Sequence, residues 1–151
     1  GDWSSDVCSS DLICAWKYGG EYDLYNLPAY EEMQVRQIGF MNPQREKNYY
    51  GFWDESILVG FVNILEEKEE VFIGIGVNPD LCNKHYGQRM LLITYEISKK
   101  LYPNKPLYLE VRTWNIRAVK CYQKAGFRID GQAYELTTGI GTGTFYRMIR
   151  E

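Results

Sequence analysis

The residues Asn83, Lys84, His85, Tyr86, Gly87 and Gln88 follow an apolar run and a proline and open a long helical pattern. The first turn of a helix has unpaired N–H groups and a partial positive charge, so amides placed this way suit a phosphate or pyrophosphate whatever their side chains. Dinucleotide chemistry is not indicated, because no GxGxxG follows the first strand and no acidic ribose residue lies beyond it. Metal chemistry is not indicated either. Cys8, Cys14, Cys82 and Cys121 form no CxxC pair and have no histidine at ligand spacing, which reads as reduced thiols rather than structural zinc or a disulfide framework.

The elements that hold this loop can be read outward from it. Residues 71 to 77, VFIGIGV, have the length and branching of a buried strand, and Asn78-Pro79 ends it because proline has no amide hydrogen for a ladder. From about Lys84 to Lys100, Met90, Ile93, Ile97 and Leu101 fall at the spacing of one helix face, with Lys99 and Lys100 in the last turn. Upstream, Tyr49 to Trp53 and Ile57 to Glu66 are strands, joined through DES and KEE turns into an antiparallel meander, with Glu69 and Glu70 as turn charges. Downstream, Leu107, Leu109 and Val111 mark one face of a strand. The strand–helix–strand order predicts a parallel pair with the helix on one face, so the sheet is mixed. Asn115 is an N-cap for a helix from Ile116 to Ala125, with Gly126 at C′ and Phe127 folding back. Residues 128 to 149 read as two closing strands around TTGIGTGT, and two further helices are expected near residues 12–18 and 28–38.

At 151 residues the chain is long enough for one domain with a substantial core. No run approaches a bilayer span and no signal-peptide core appears, so a cytoplasmic protein is expected. The net charge of −3 argues against nucleic acid as a partner. Its distribution is uneven: residues 1–80 hold 15 acids and 5 bases, residues 81–151 hold 5 acids and 12 bases. Two differently solvated faces would explain this, as would a basic half that holds an anion beside an acidic half that attracts a cation. Residues 2–12, DWSSDVCSSDL, have no periodicity and resemble a translated sequencing-library adapter. The domain is therefore expected to run from Ile13 to Glu151, with its first strand missing or imitated.

The order of elements and the stretch LEVRTWNIRAVKCYQKAGF, with Glu110, Asn115, Ala118, Tyr122, Gly126 and Phe127 at the family's spacing, resembles the GNAT superfamily of acetyl-CoA-dependent N-acetyltransferases. The resemblance covers residues 13–150. It implies a mixed α/β acyl-CoA N-acyltransferase fold and acetyl-CoA as cosubstrate with no metal. It also implies a cofactor loop reading Gln or Arg, two residues, Gly, one residue, then Gly or Ala. Here those positions hold Cys82, His85 and Gly87, and only the last follows the pattern. His85 stands where a glycine lets the backbone approach the pyrophosphate, so either its ring points outward or the cofactor is held less tightly.

By the same resemblance, amides from Asn83 to Gln88 hold the pyrophosphate, and the strand edge at Ile75, Gly76 and Val77 pairs with the pantetheine arm, with an amide near Gly76 or Val77 polarising the thioester. Tyr122 is implied as the acid that protonates the departing thiolate. Glu110 is implied as the base, by its match to the LEV position of ribosomal-protein N-terminal acetyltransferases. A solvated or salt-bridged strand carboxylate is the other reading of Glu110, and Asn115 is implied to bind the coenzyme through its side chain, with capping alone as the other reading. The acceptor is expected to be a small-molecule amine or a peptide N-terminus, with acidic residues Glu21, Asp23, Glu31 and Glu32 near its loop. The protein is expected to act as a monomer or homodimer away from membranes. A catalytically silent acyl-CoA-binding regulatory module is the alternative function, and turnover separates the two.

Overall fold

The computed structural model of the chain describes residues 2–4, 17, 48–81 and 84–151, with the backbone alone at residues 2–4. The helices expected upstream of residue 48, the acceptor-loop acids and the residues Cys82 and Asn83 lie outside these. The chain divides into two compact units whose borders cut through strands: one holds Gly1–Asn63 with Ile75–Tyr86, the other Ile64–Gly74 with Gly87–Glu151.

In the first unit, β1 (Asp2–Ser4), β2 (Tyr49–Asp54) and the first part of β3 (Ile57–Glu66) form an antiparallel ladder. The turn closes through Glu55 and Ser56, with Glu55 in left-handed backbone at φ 56°, and a register shift follows Phe52. Residues 2–12 gave no strand pattern in the sequence, yet Trp3 pairs with Phe52. Three residues suffice because a backbone ladder needs no particular side chain. The core here is Phe52, Leu58, Val59 and Val62.

In the second unit, the end of β3 and the start of β4 (Val71–Val77) close a hairpin through Glu67 N–H to the Glu70 carbonyl at 2.8 Å. β4 then crosses by α1 (Tyr86–Leu101) to β5 (Leu107–Arg112), with which it is parallel at Val71–Leu107 and Phe72–Tyr108. β5 runs antiparallel to β8 (Gly141–Arg150) over six pairs. The free side of β8 carries β7 (Tyr134–Thr138) and a two-residue β6 (Arg128–Ile129), which the sequence pattern was too short to reveal. Between β5 and β6 lies α2 (Ile116–Lys124). Leu107, Leu109 and Val111 are buried, as their alternation predicts, together with Ile64, Val71, Ile73, Met148 and Phe127.

Helix α1 departs from the expected stripe. Its buried residues are Met90, Leu91, Thr94 and Ser98, while Leu101 is 50% exposed. Thr94 can be buried because its hydroxyl donates to the Met90 carbonyl at 2.7 Å, inside the helix's own turn. The helix also begins at Tyr86 rather than Lys84, since His85 has φ 65° and cannot be its first helical residue. No helix among the described residues is long and apolar enough to cross a membrane.

Candidate active site

The strand edge expected to meet pantetheine is fastened as far as Asn78. The Asn78 amide donates to the Val59 carbonyl at 2.7 Å and its side-chain nitrogen to the Leu58 carbonyl at 3.2 Å. Its side-chain oxygen accepts from the Asp80 amide at 3.0 Å and its carbonyl from the Leu81 amide at 2.9 Å, so one asparagine both ends the ladder and starts the short 3₁₀ turn Pro79–Leu81. Ile75, Gly76 and Val77 are half-buried at the end of β4. A Cβ at Gly76 would lie 2.6 Å from Cζ of Phe61, so only glycine admits that ring against the strand.

The loop then delivers the chain to the N-terminus of α1. Lys84 and His85 are exposed, and His85 takes the left-handed backbone that favours glycine. The ring thus stands in solvent while the backbone keeps the conformation a glycine would supply. Tyr86 donates its hydroxyl to Asp54 Oδ2 at 2.8 Å, which ties the helix start to the β2–β3 hairpin. The first turn, which includes Gly87, Gln88 and Arg89, contains no acid to compete with an anion. Arg89 is an exposed cation in that turn which the sequence reading passed over; its place three residues into the helix could have signalled it.

The β5–α2 passage matches its sequence pattern closely. The Asn115 side chain accepts from the Ala118 amide at 3.3 Å, and the residue is 6% exposed, so it is a buried cap. At the other end the Gly126 amide donates to the Gln123 carbonyl at 3.0 Å and the Phe127 amide to the Tyr122 carbonyl at 2.9 Å, the paired bonds of a Schellman motif with Gly126 at φ 97°. Tyr122 is half-buried, about two turns along from the cap. Burial pushes the neighbouring Cys121 thiol up, away from reactive thiolate behaviour.

The face of β5 opposite Leu109 carries Tyr108, Glu110 and Arg112, and β8 adds Arg147 directly across from Glu110. Arg147 does not pair with Glu110. It holds Glu70 through two hydrogen bonds of 2.8 Å each and Asp130 through a third of 3.1 Å. Those bonds from Arg147 keep the Glu70 carboxyl below its ordinary range, outweighing burial. Glu70, read from sequence as a turn charge, is therefore half of an ion pair that spans 77 residues; Glu69 is the exposed turn residue. Tyr108 donates to Glu67 at 2.8 Å, and Lys105 holds Glu66 at 2.7 Å. Acids of the first half thus meet bases of the second, which uses up part of the charge asymmetry.

Glu110 takes a different partner: the Tyr134 hydroxyl donates to its Oε2 at 2.6 Å. Burial and then the hydrogen bond to Glu110 push the Tyr134 phenol up, so it remains a protonated donor at neutral pH. Sequence reasoning missed Tyr134, one of 13 tyrosines with no local pattern to single it out. Among the described residues no three His, Cys, Asp or Glu gather closely enough to hold a metal ion.

The family model described as acetyltransferase (GNAT) family matches residues 12–127, starting one residue before the expected Ile13 boundary. A comparison with curated proteins gave no match. Among solved structures, Escherichia coli ElaA is 28% identical at a TM-score of 0.56, over 68% of this chain and 67% of its own. A Bacillus subtilis acetyltransferase in complex with CoA is 19% identical at 0.59, over 81% and 84%. A chimera of the Vibrio cholerae spermidine N-acetyltransferase SpeG with hSSAT is 17% identical at 0.66, over 87% and 83%. The mixed sheet matches the fold of these neighbours, and the family model together with the neighbours named as acetyltransferases, one of them in complex with CoA, supports an acyltransferase using a CoA-based donor. The matched span takes in the meander, the crossover helix and the whole β5–α2 passage, and the chain belongs to the acetyltransferase (GNAT) family.

Proposed function

We propose that this enzyme transfers the acetyl group of acetyl-CoA to a primary amine by direct attack, with Glu110 as base and Tyr122 as acid. The observation that carries the reading is the state of Glu110. It is half-buried on β5 and hydrogen-bonded by a neutral phenol, whereas its acidic neighbours Glu70 and Asp130 are engaged by Arg147. A carboxylate left outside an ion pair retains its capacity to accept a proton.

In the proposed reaction the protonated amine gives one proton to Glu110, the lone pair so freed forms the C–N bond at the thioester carbon, a second proton leaves the nitrogen to solvent as the C–S bond breaks, and Glu110 later returns its own proton to solvent. Tyr122 delivers its hydroxyl proton to the departing sulfur and regains one from solvent. The residues from Asn83 to Gln88 are proposed to hold the pyrophosphate on backbone amides, an assignment supported by an acid-free first turn and a left-handed His85. The edge at Ile75, Gly76 and Val77 is proposed for the pantetheine amides. Asn115 serves by starting the helix that carries Tyr122.

For the acceptor we infer an amine that is cationic in solution, because residues 1–80 hold 15 acids against 5 bases. The test measures thiol release from acetyl-CoA against a panel of amines and peptide N-termini. Spermidine, for which the Vibrio cholerae neighbour is named, belongs in that panel. Tyr122→Phe should lower kcat by roughly 10²-fold with acetyl-CoA affinity nearly intact. Equal kcat in the two proteins would refute the acid, and a preferred anionic acceptor would refute the amine class.

A further inference from the structure

Directly across from Glu110, on β8, stands Arg147, and the structure turns that cation elsewhere. Glu70, at the start of the β4 hairpin, and Asp130, after β6, take all three of Arg147's described side-chain hydrogen bonds. Arg147 also lies over the Tyr108 ring, 4.4 Å from its centroid, while the Tyr108 hydroxyl is spent on Glu67. Arg112, the next residue along β5 on the face of Glu110, stacks on Phe145 at 4.8 Å. Among the described residues the only hydrogen bond to the Glu110 carboxylate comes from Tyr134 at the first position of β7.

The register explains how a residue two strands away reaches it. Tyr134 sits opposite Phe145 on β8, and Phe145 sits opposite Arg112 on β5, so Tyr134 and Glu110 share a face and lie on a diagonal across β8. At 2.6 Å the bond has the length of a charge-assisted O–H to carboxylate bond. It occupies Oε2 and fixes the plane of the carboxylate, so that Oε1 is the oxygen left to receive a proton.

We infer that Tyr134 is a positioning residue for the acetyl transfer: it orients Glu110 toward the acceptor amine, while Glu70 and Asp130 hold Arg147 away from that carboxylate. The inference rests on the assignment of Glu110 as base. A neutral phenol holds the carboxylate in one plane without pairing its charge, so this arrangement supplies orientation. The phenol is not consumed in the reaction, because the proton accepted by Glu110 arrives on the opposite oxygen.

The experiment is the pH profile of kcat/KM for the wild type, Glu110→Gln, Tyr134→Phe and the double variant, with Tm recorded for each. Glu110→Gln should abolish the acidic limb. Tyr134→Phe should keep its fold, leave KM for acetyl-CoA unchanged, lower kcat about tenfold and move the acidic limb upward by about one pH unit, since a donor to the charged form has been lost. In the Glu110→Gln background the same substitution should have no further effect. Glu110→Asp, which draws the carboxylate back by one methylene, should shift the limb in the same direction without altering Tyr134. An acidic limb that survives Glu110→Gln would overturn the base assignment and the inference with it. A limb abolished by Glu110→Gln but unmoved in Tyr134→Phe and Glu110→Asp would overturn the inference alone.

Discussion

Two passages lead this chain from a strand into a helix, and they are built differently. Between β5 and α2 the chain needs only Thr113, Trp114 and Asn115: Asn115 caps the Ala118 amide and its own amide reaches the Arg112 carbonyl at 3.0 Å, while the Thr113 amide reaches the Thr144 carbonyl on β8 at 3.0 Å. Between β4 and α1 it takes a 3₁₀ turn, a longer loop and a histidine in left-handed backbone before the helix can begin. The first passage caps its helix with the Asn115 side chain; the second is the one whose helix N-terminus is proposed to meet an anion. A capped helix start contributes stability, whereas one whose amides face a ligand holds that stability in reserve for binding.

The largest effect should come from breaking the tight passage. Asn115→Ala removes a buried cap and is expected to destabilise the protein by about 1–2 kcal/mol, read as a lower midpoint in urea unfolding with an unchanged slope. It should lower kcat as well, because α2 carries Tyr122. A stability loss near zero would mean that another group takes over the Ala118 amide, and the contrast between the passages would fail.

The same contrast governs what the sequence disclosed. The tight passage is legible because its cap, its Gly126 and its Phe127 are neighbours along the chain and their residue types follow from local backbone needs. The strands are legible through alternation, as Leu107, Leu109 and Val111 are. What stayed hidden depends on distance or on concealed bonds. Glu70 gives no sign of an arginine 77 residues away, and Tyr134 acquires its meaning only from the register of β7 on β8 and β8 on β5. Thr94 and Ser98 look like solvent residues, which moved the expected stripe of α1 onto Ile93, Ile97 and Leu101. The loop before α1 was legible in position but not in conformation, since nothing in the letters shows that His85 keeps a glycine's backbone.

A second test sharpens the comparison at the level of buried polar groups. Asn115 is buried and bonded; Ser98 on α1 is wholly buried, and its Oγ has no hydrogen-bond partner among the described residues. Removing an unsatisfied hydroxyl recovers desolvation energy, and alanine is the better helix former. Ser98→Ala should therefore raise stability by about 1 kcal/mol, seen as a higher midpoint of thermal unfolding, with kinetics unchanged. A lower midpoint would show that the hydroxyl's volume matters to the packing of α1 more than its polarity.

The smallest effect, and the most informative about the loose passage, belongs to His85→Gly. A left-handed backbone costs an L-residue about 1–2 kcal/mol relative to glycine, while glycine gives back about 0.5–1 kcal/mol through its freer unfolded state. The difference leaves a gain of about 0.5 kcal/mol in the free protein, small enough to need replicate denaturant curves. The affinity for acetyl-CoA carries the sharper question. His85 is exposed, so if its ring already points away from the amides of the α1 N-terminus, KM for acetyl-CoA should stay within about twofold of the wild type while stability rises. If instead the ring crowds the pyrophosphate, KM should fall with no matching change in kcat, the pattern of improved uniform binding. Loss of stability in the glycine variant would contradict both outcomes, because it would require the His85 side chain to make a contact worth more than the strain of its backbone.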